Sequence, residues 1–205
     1  MNNRLHRYLE LLKQNNWLTQ AQSAPITIIF SESEIEIWER ENELEIGILL
    51  QDKFITILRD LVRFPGGRLG GYNRVINTAS LNKGGAGSVV LPVKNDKILL
   101  IKIYRHPIQN WSLEIPRGFG ENGMTPLEIA KQELSEEVGA EIVDVVSLGL
   151  LHSNTGLEGN AISLYLAYID DVGVPRMEEG IDNIVWVSID EFETMVKEGN
   201  ITDSF

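Results

Sequence analysis

The chain has no cysteine. Disulfide staples are therefore excluded, and the composition fits a reducing compartment. Histidine is limited to His6, His106 and His152. The ligands that zinc prefers are accordingly scarce. Positive charge is short as well: 18 Lys and Arg stand against 30 Asp and Glu, a net charge of −12 at pH 7. That balance argues against a nucleic-acid polymer or an anionic membrane as the main partner. It leaves room for a small anionic substrate, because a bound metal ion brings its own positive charge. No apolar run approaches the roughly 18 residues of a membrane-spanning helix, and no signal-peptide pattern is present, so the expected setting is the cytoplasm, in soluble form. Internal repeats and low-complexity tracts are also missing.

What remains is a chain of 205 residues with 43% hydrophobic content. That length holds one large domain, or one domain with a smaller extension, and the apolar fraction supports a proper core.

Residues 114–140 organise the chain. They read as a strand end, a glycine loop and an acidic helix. Thr125 is a good N-cap, Pro126 suits the first helical position, and Glu128 completes a capping box. Gly139 is where such a helix stops. Leu127, Ala130, Leu134 and Val138 recur at helical steps and form the expected buried stripe. Glu133, Glu136 and Glu137 share another face, where three carboxylates repel one another. A cation among them would offset that repulsion, and hard oxygen ligands suit Mg2+ or Mn2+. A solvated acidic face is the plainer reading of the same charges. The glycines Gly118, Gly120 and Gly123 shift the balance, because they let backbone come close to whatever the carboxylates hold.

This stretch resembles the Nudix box, the signature of hydrolases that cut nucleoside diphosphates linked to another moiety. Gly118, Glu133, Leu134, Glu136, Glu137 and Gly139 match its pattern, and Ala140 is a weak apolar match. Met124 stands where the pattern has Glu, and Gln132 where it has Arg. The resemblance implies an α+β fold, an α/β/α sandwich around a mixed β-sheet, preceded here by a smaller β-rich region. The expected division is residues 1–85, with a role in dimerisation, and residues 86–205, the hydrolase domain. The order of elements is similar to the family's sugar-nucleotide branch, which includes ADP-ribose pyrophosphatase. That branch forms homodimers through its N-terminal portion.

Along the chain, the spacing predicts a helix over residues 3–17 with Leu5, Tyr8, Leu9 and Leu12 on one side. A break follows at Ser23–Pro25, then a strand over Ile26–Phe30. The alternation Glu34-Ile35-Glu36-Ile37 predicts a half-exposed strand within 32–45, whose acids are read as solvated. Further strands are expected over 46–50, 54–63 and 72–78, with a glycine turn over 64–71. Residues 83–87 read as a linker. A hairpin about Asn95-Asp96 joins strands 88–93 and 97–104, and Trp111–Ile115 leads into the box. Strands over 142–150, 161–169 and 184–187 follow, with a turn at 152–156 and a polar loop at 177–181. Ser188 or Asp190 caps a last helix through Lys197.

Pyrophosphate cleavage needs charge neutralisation, an activated water and a proton acceptor. Glu133 and Glu137, four residues apart on one helix face, are the first-choice metal ligands. Glu136 joins them or holds a second ion, and the resemblance adds the backbone carbonyl of Arg117. It also implies that an Arg at the strand end, Arg105, contacts substrate; a surface cation is the alternative. Glu114 and Gly118 complete the substrate-side candidates. The proton acceptor is expected on the loop beyond the box, at Glu178 or Glu179, with Glu158 as a competitor. The histidines read as packed or exposed residues rather than catalysts. The substrate class implied is ADP-ribose or another nucleotide sugar, with dinucleotides or coenzyme A derivatives as the alternative. A non-catalytic nucleotide-sensing module is the competing reading from another class.

Overall fold

The computed structural model describes residues 3–19, 24–82, 87–120 and 123–205. Of the linker expected at 83–87, residues 83–86 lie outside those ranges, as do the domain boundary at 85/86 and Ser23, while Gly87 already belongs to a strand. The chain forms two compact units. One holds the residues up to Asn82 together with Asn154–Asn160; the other continues to Ser153, resumes at Ala161 and ends at Phe205. Among the described residues, no helix is long and apolar enough to cross a membrane.

The first unit opens with helix α1 (Asn3–Gln14), which buries Leu5, Tyr8, Leu9 and Leu12 as its periodicity requires. A short 3-10 turn (Asn16–Leu18) and a two-residue strand β1 (Thr27–Ile28) follow. Next comes helix α2 (Glu32–Asn42), where the alternation of Glu34 to Ile37 predicts a strand. The cap decides the matter: Ser31 holds extended backbone, and its hydroxyl accepts from the Glu34 N–H at 3.3 Å. Ile35 and Trp38, one turn apart, are buried, while Ile37 is 49% exposed. Strand β3 (Ile55–Arg63) pairs along its whole length with β4 (Leu69–Asn77), and on its other edge with β2 (Gly47–Gln51) and β1. The glycine turn is thus shorter than expected, since Leu69–Gly71 already belong to β4.

Leu58, Leu61 and Ile76 of this sheet pack with the α1 stripe, Ile35 and Ile46 into one core. Asp60 is buried in it, accepting from the Tyr8 hydroxyl at 2.6 Å and from Arg74 Nη2 at 3.0 Å. Burial, then the Asp60 charge, push the Tyr8 phenol far up, so it stays a donor.

The second unit is a seven-stranded sheet. Its main path runs β11 (Ile181–Ser188), β6 (Lys97–Arg105), β5 (Gly87–Lys94), β10 (Ile162–Ile169), β9 (Ile142–Leu151). The β5–β10 pairing is parallel and the others antiparallel, so the sheet is mixed. Alternate residues of β5 and β6 face opposite ways. Val90, Leu99, Ile101 and Ile103 pack with Ala130, Leu134 and Val138 of helix α3 (Pro126–Val138). Val89, Ile98 and Leu100 pack with Phe192 and Met195 of helix α4 (Ile189–Lys197). A helix thus lies on each face, the expected α/β/α sandwich.

The hairpin about Asn95 and Asp96 forms, with both residues at left-handed φ (50° and 59°). Its strands pair only at the turn, through Val93–Ile98 and Lys94–Lys97. Beyond that they part. Strand β7 (Asn110–Glu114) pairs with β6, and β8 (Arg117–Phe119) pairs with β5. The link between them is tied in by the Val90 N–H, which donates to the Pro116 carbonyl at 2.9 Å. This opening in the sheet is what brings Glu114, Arg117 and Gly118 to the foot of α3.

Candidate active site

Helix α3 is fixed at both ends by the residues that predict it. Thr125 Oγ1 accepts from the Glu128 N–H at 3.3 Å, and Glu128 Oε2 accepts from the Thr125 N–H at 2.7 Å. Gly139 closes the helix at φ +59°, where the Ala140 N–H reaches the Leu134 carbonyl at 3.1 Å. The Ser88 hydroxyl donates to the Pro126 carbonyl at 2.6 Å and ties the helix start to β5. The buried stripe differs from the expected one at its first member. Ile129, not Leu127, is buried, and Leu127 is 38% exposed.

The three box carboxylates have different surroundings. Glu137 is only 4% exposed. A backbone hydrogen bond from Arg117 reaches its carboxyl, but its Oε2 is buried without a hydrogen-bond partner. Burial, then the neighbouring Glu133 and Glu179 charges, push it up to about 8. Glu133 is pushed to about 7 by burial first and by Glu136 and Glu179 next. Its carboxyl lies against Gly118: a Cβ there would stand 2.0 Å from Glu133 Oε1. Glu136 is more exposed and already engaged. Gln132 Nε2 donates to its Oε1 at 2.9 Å, and Arg176 Nη1 to its Oε2 at 3.1 Å.

Arg105 and Glu114 meet each other. Arg105 Nε donates to Glu114 Oε2 at 3.0 Å and Arg105 Nη2 at 2.5 Å. Arg117 Nη2 adds a contact to the same oxygen at 2.8 Å and also pairs with Asp203 Oδ2 at 3.0 Å. Burial alone would raise the Glu114 pKa, but the Arg105 hydrogen bonds and the two guanidinium charges outweigh it and hold Glu114 below the usual carboxylate range. The Phe205 ring sits 4.4 Å from the Arg117 guanidinium carbon. Arg117 is therefore held by its side chain on one side while its backbone touches Glu137 on the other.

On the loop beyond β10, Glu179 and Glu178 separate. Glu179 is close enough for its charge to act on both Glu133 and Glu137, whereas Glu178 figures at neither. Glu158 belongs to the segment 154–160 of the first unit, bridged to Val75. His6, His106 and His152 are all exposed. Two residues outside the sequence-based candidates belong to this constellation, Arg176 and Asp203. Arg176 carried a legible signal: it is the sole Lys or Arg between Lys131 and Lys197. Asp203 carried none.

A family model of the NUDIX domain matches residues 84–203. The chain belongs to the Nudix family. A methanol dehydrogenase activator of Bacillus methanolicus is 31% identical over 127 residues, 58% of this chain and 66% of that protein. An ADP-ribose pyrophosphatase of Bacillus subtilis (strain 168) is 26% identical over 107 residues, covering 52% and 57%. In each case the aligned part falls short of two thirds of the relative's length. Among solved structures, an ADP compounds hydrolase superposes with a TM-score of 0.63 at 18% identity, over 78% of this chain and 85% of that one. This last likeness speaks for the Nudix fold alone.

The residues fit a divalent cation at Glu133 and Glu137. The chain has no cysteine and its three histidines are exposed, a buried carboxylate oxygen lacks a partner, and Gly118 leaves room for the second carboxyl. Among the described residues, no three Asp, Glu or His side chains stand ready to enclose an ion. Glu136 is the one turned aside, by Gln132 and Arg176.

A pH dependence follows. Between the ordinary carboxylate range and about 7 to 8, the native metal-free protein keeps protons on Glu133 and Glu137 that the unfolded chain has lost. Stability then falls as pH rises through that window. Thermal melts in EDTA are expected to show a lower Tm at pH 8.5 than at pH 6. Mg2+ should recover more of it at the higher pH, where it competes with fewer protons. A Glu133→Gln/Glu137→Gln variant should lose much of this slope; an unchanged slope would remove these two groups as its source.

Proposed function

We propose that this Nudix protein is a divalent-metal-dependent hydrolase that cleaves the pyrophosphate of a nucleoside diphosphate derivative, ADP-ribose or another nucleotide sugar. The observation that carries the reading is the Glu133–Glu137 pair, with one oxygen buried and unpartnered and a glycine cut away beside the other carboxyl. Glu133, Glu137 and the backbone of Arg117 would hold Mg2+ or Mn2+, which when bound offsets phosphate charge and acidifies a bound water.

The rest is done by the chain. The pairing of Arg117 with Glu114 and Asp203 keeps the β8 backbone beside Glu137, and Arg105 completes the charge balance around Glu114. Glu179, whose charge acts on both Glu133 and Glu137, would take the proton of the attacking water, ahead of Glu178. As the water oxygen bonds to one phosphorus, the bridging P–O bond breaks and the leaving phosphate keeps the electron pair. AMP and a sugar phosphate would result from ADP-ribose. The ADP-ribose pyrophosphatase relative supports this choice of substrate.

The test is release of the nucleotide half from a panel of ADP-ribose, nucleotide sugars, dinucleotides and coenzyme A: a nucleoside monophosphate from the first three, adenosine 3′,5′-bisphosphate from the last. Release is expected only with Mg2+ or Mn2+, and fastest for ADP-ribose or a nucleotide sugar. No release from any member with either ion would leave the sensing module as the better reading. Faster cleavage of dinucleotides or coenzyme A would move the substrate assignment.

The same reading includes a homodimer built on the first unit, in a soluble cytoplasmic protein. That unit has its own core, so the support lies in its surface: Phe54 is 65% exposed, with Leu50 and Ile55 also outward between β2 and β3. Sedimentation at micromolar concentration should give twice the chain mass; a monomer there would sink the dimer.

A further inference from the structure

We propose that Arg176 is a positioning residue: from the loop after β10 it provides the cation that the box lacks at position 132 and holds Glu179 beside Glu133 and Glu137. The proposal rests on the hydrolase reading above.

One guanidinium nitrogen, Nη1, bridges two elements. It lies 3.1 Å from Glu136 Oε2 on α3 and 2.9 Å from Glu179 Oε1 on the loop. The backbone repeats the tie. The Arg176 N–H donates to the Glu137 carbonyl at 3.1 Å, and the Glu179 N–H donates to the Arg176 carbonyl at 3.1 Å. Residues 176–179 are thus one turn anchored on the end of α3, closed by Gly180 at φ +82°. Glu179 reaches the box carboxylates as part of that turn.

The partners of Arg176 also fix what Glu136 does. Its two oxygens are taken by Gln132 and Arg176, which makes it an anchor for the turn rather than an ion ligand. Gln132, uncharged and without a guanidinium fork, cannot neutralise it alone. The arrangement explains how a box with Gln132 in place of Arg keeps its second glutamate ordered. The charge enters from a different element, some 40 residues along the chain.

Arg176, Glu136 and Glu179 all keep solvent contact, so their ion pairs add little to stability. The consequence is geometric. A proton acceptor released from its position loses most of a contribution that is typically about 10²–10⁴-fold. A lysine ammonium can also donate to both carboxylates, but from a flexible stem without the planar guanidinium that fixes their directions.

The experiment compares Arg176→Gln, Arg176→Lys, Glu179→Gln and Arg176→Gln/Glu179→Gln. The readouts are kcat and KM for ADP-ribose with Mg2+, and Mn2+ affinity by electron paramagnetic resonance. Arg176→Gln should lower kcat about 10–100-fold, with KM and Mn2+ affinity each within about twofold and a Tm change of at most about 2–4 °C. Arg176→Lys should fall between parent and Arg176→Gln. The double variant should be no slower than Glu179→Gln alone, because Arg176 acts through Glu179. Losses that multiply in the double variant overturn the proposal, as does a loss explained by KM or by Mn2+ affinity, or an Arg176→Gln variant at the parent's kcat. Full activity in Glu179→Gln removes the base assignment and the proposal together, leaving metal-dependent hydrolysis in place. A parent inactive on the whole panel removes the hydrolase reading itself, and this proposal with it.

Discussion

Glu137→Gln is expected to lower kcat by about 10³-fold with Mg2+ while leaving the protein folded, the upper end of what one well-placed electrostatic group contributes to a transition state. The amide keeps the shape of the carboxyl and removes its charge. In the native protein that charge is under-compensated: beyond the Arg117 backbone hydrogen bond and the Arg105 charge, Oε2 is buried without a partner, and burial with the Glu133 and Glu179 charges pushes the group up to about 8. The protein therefore bears a cost at Glu137 that its packing does not need. Folding should tolerate the substitution well. Above pH 8, where the parent must ionise the buried group, the metal-free variant should be the more stable of the two. Only below the ordinary carboxylate range, where the carboxyl is neutral in the folded and unfolded chain alike, should the two melts nearly coincide, and the gap should widen from pH 6 to pH 9. Rates with Mg2+ and melts in EDTA at pH 6 and 9 separate the two effects. A variant that cleaves substrate as fast as the parent shows that Glu137 holds no catalytic metal, whatever its stability.

How much of this was legible in the sequence depends on the length of the signal. Helix α3 was readable to its caps, because Thr125, Pro126, Glu128 and Gly139 agree with one another and with a long periodic run. Helix α2 was not. Glu34 to Ile37 alternate over only four residues, too few to outweigh a Ser31 cap with Glu34 three residues on and Trp38 one turn from Ile35. The same contest decided Leu127 against Ile129. Both suit a helical stripe, and the side that packs is set by Gly120, which leaves the space that Ile129 fills.

At the site, the shared face of Glu133 and Glu137 is written in their spacing. What the spacing cannot say is which box glutamate is buried and which is claimed by an arginine. That depends on β8 passing beside Glu137 and on the turn at Arg176, contacts set by residues far along the chain. Arg105 and Glu114 show the same limit. Each reads alone as a substrate contact, and pairing across β6 and β7 puts them on each other.

Gly118→Ala and Gly120→Ala, two residues apart, are expected to fail in opposite ways. Neither glycine holds a left-handed φ, so the added methyl acts through space alone. At Gly118 the new Cβ would lie 2.0 Å from Glu133 Oε1, 2.1 Å from Cδ and 2.5 Å from Oε2. What it strikes is the far end of a flexible side chain, which can swing away at little cost in stability. The carboxyl that swings is one of the two proposed ligands, and a misplacement of about 1 Å can cost about 10²-fold in rate. At Gly120 the Cβ would lie 2.2 Å from Cγ1 and 2.4 Å from Cδ1 of Ile129, which is fully buried at the start of α3. That side chain has no free direction, so overpacking should cost about 1–3 kcal/mol. Gly118→Ala should therefore melt close to the parent, bind Mn2+ weakly and cleave about 10²-fold more slowly. Gly120→Ala should melt several degrees lower and, below its Tm, bind Mn2+ nearly as the parent does. Measured together, melts and Mn2+ titrations distinguish a displaced ligand from a strained core. A Gly118→Ala protein with parental Mn2+ affinity would show that Glu133 does not need the space this glycine leaves.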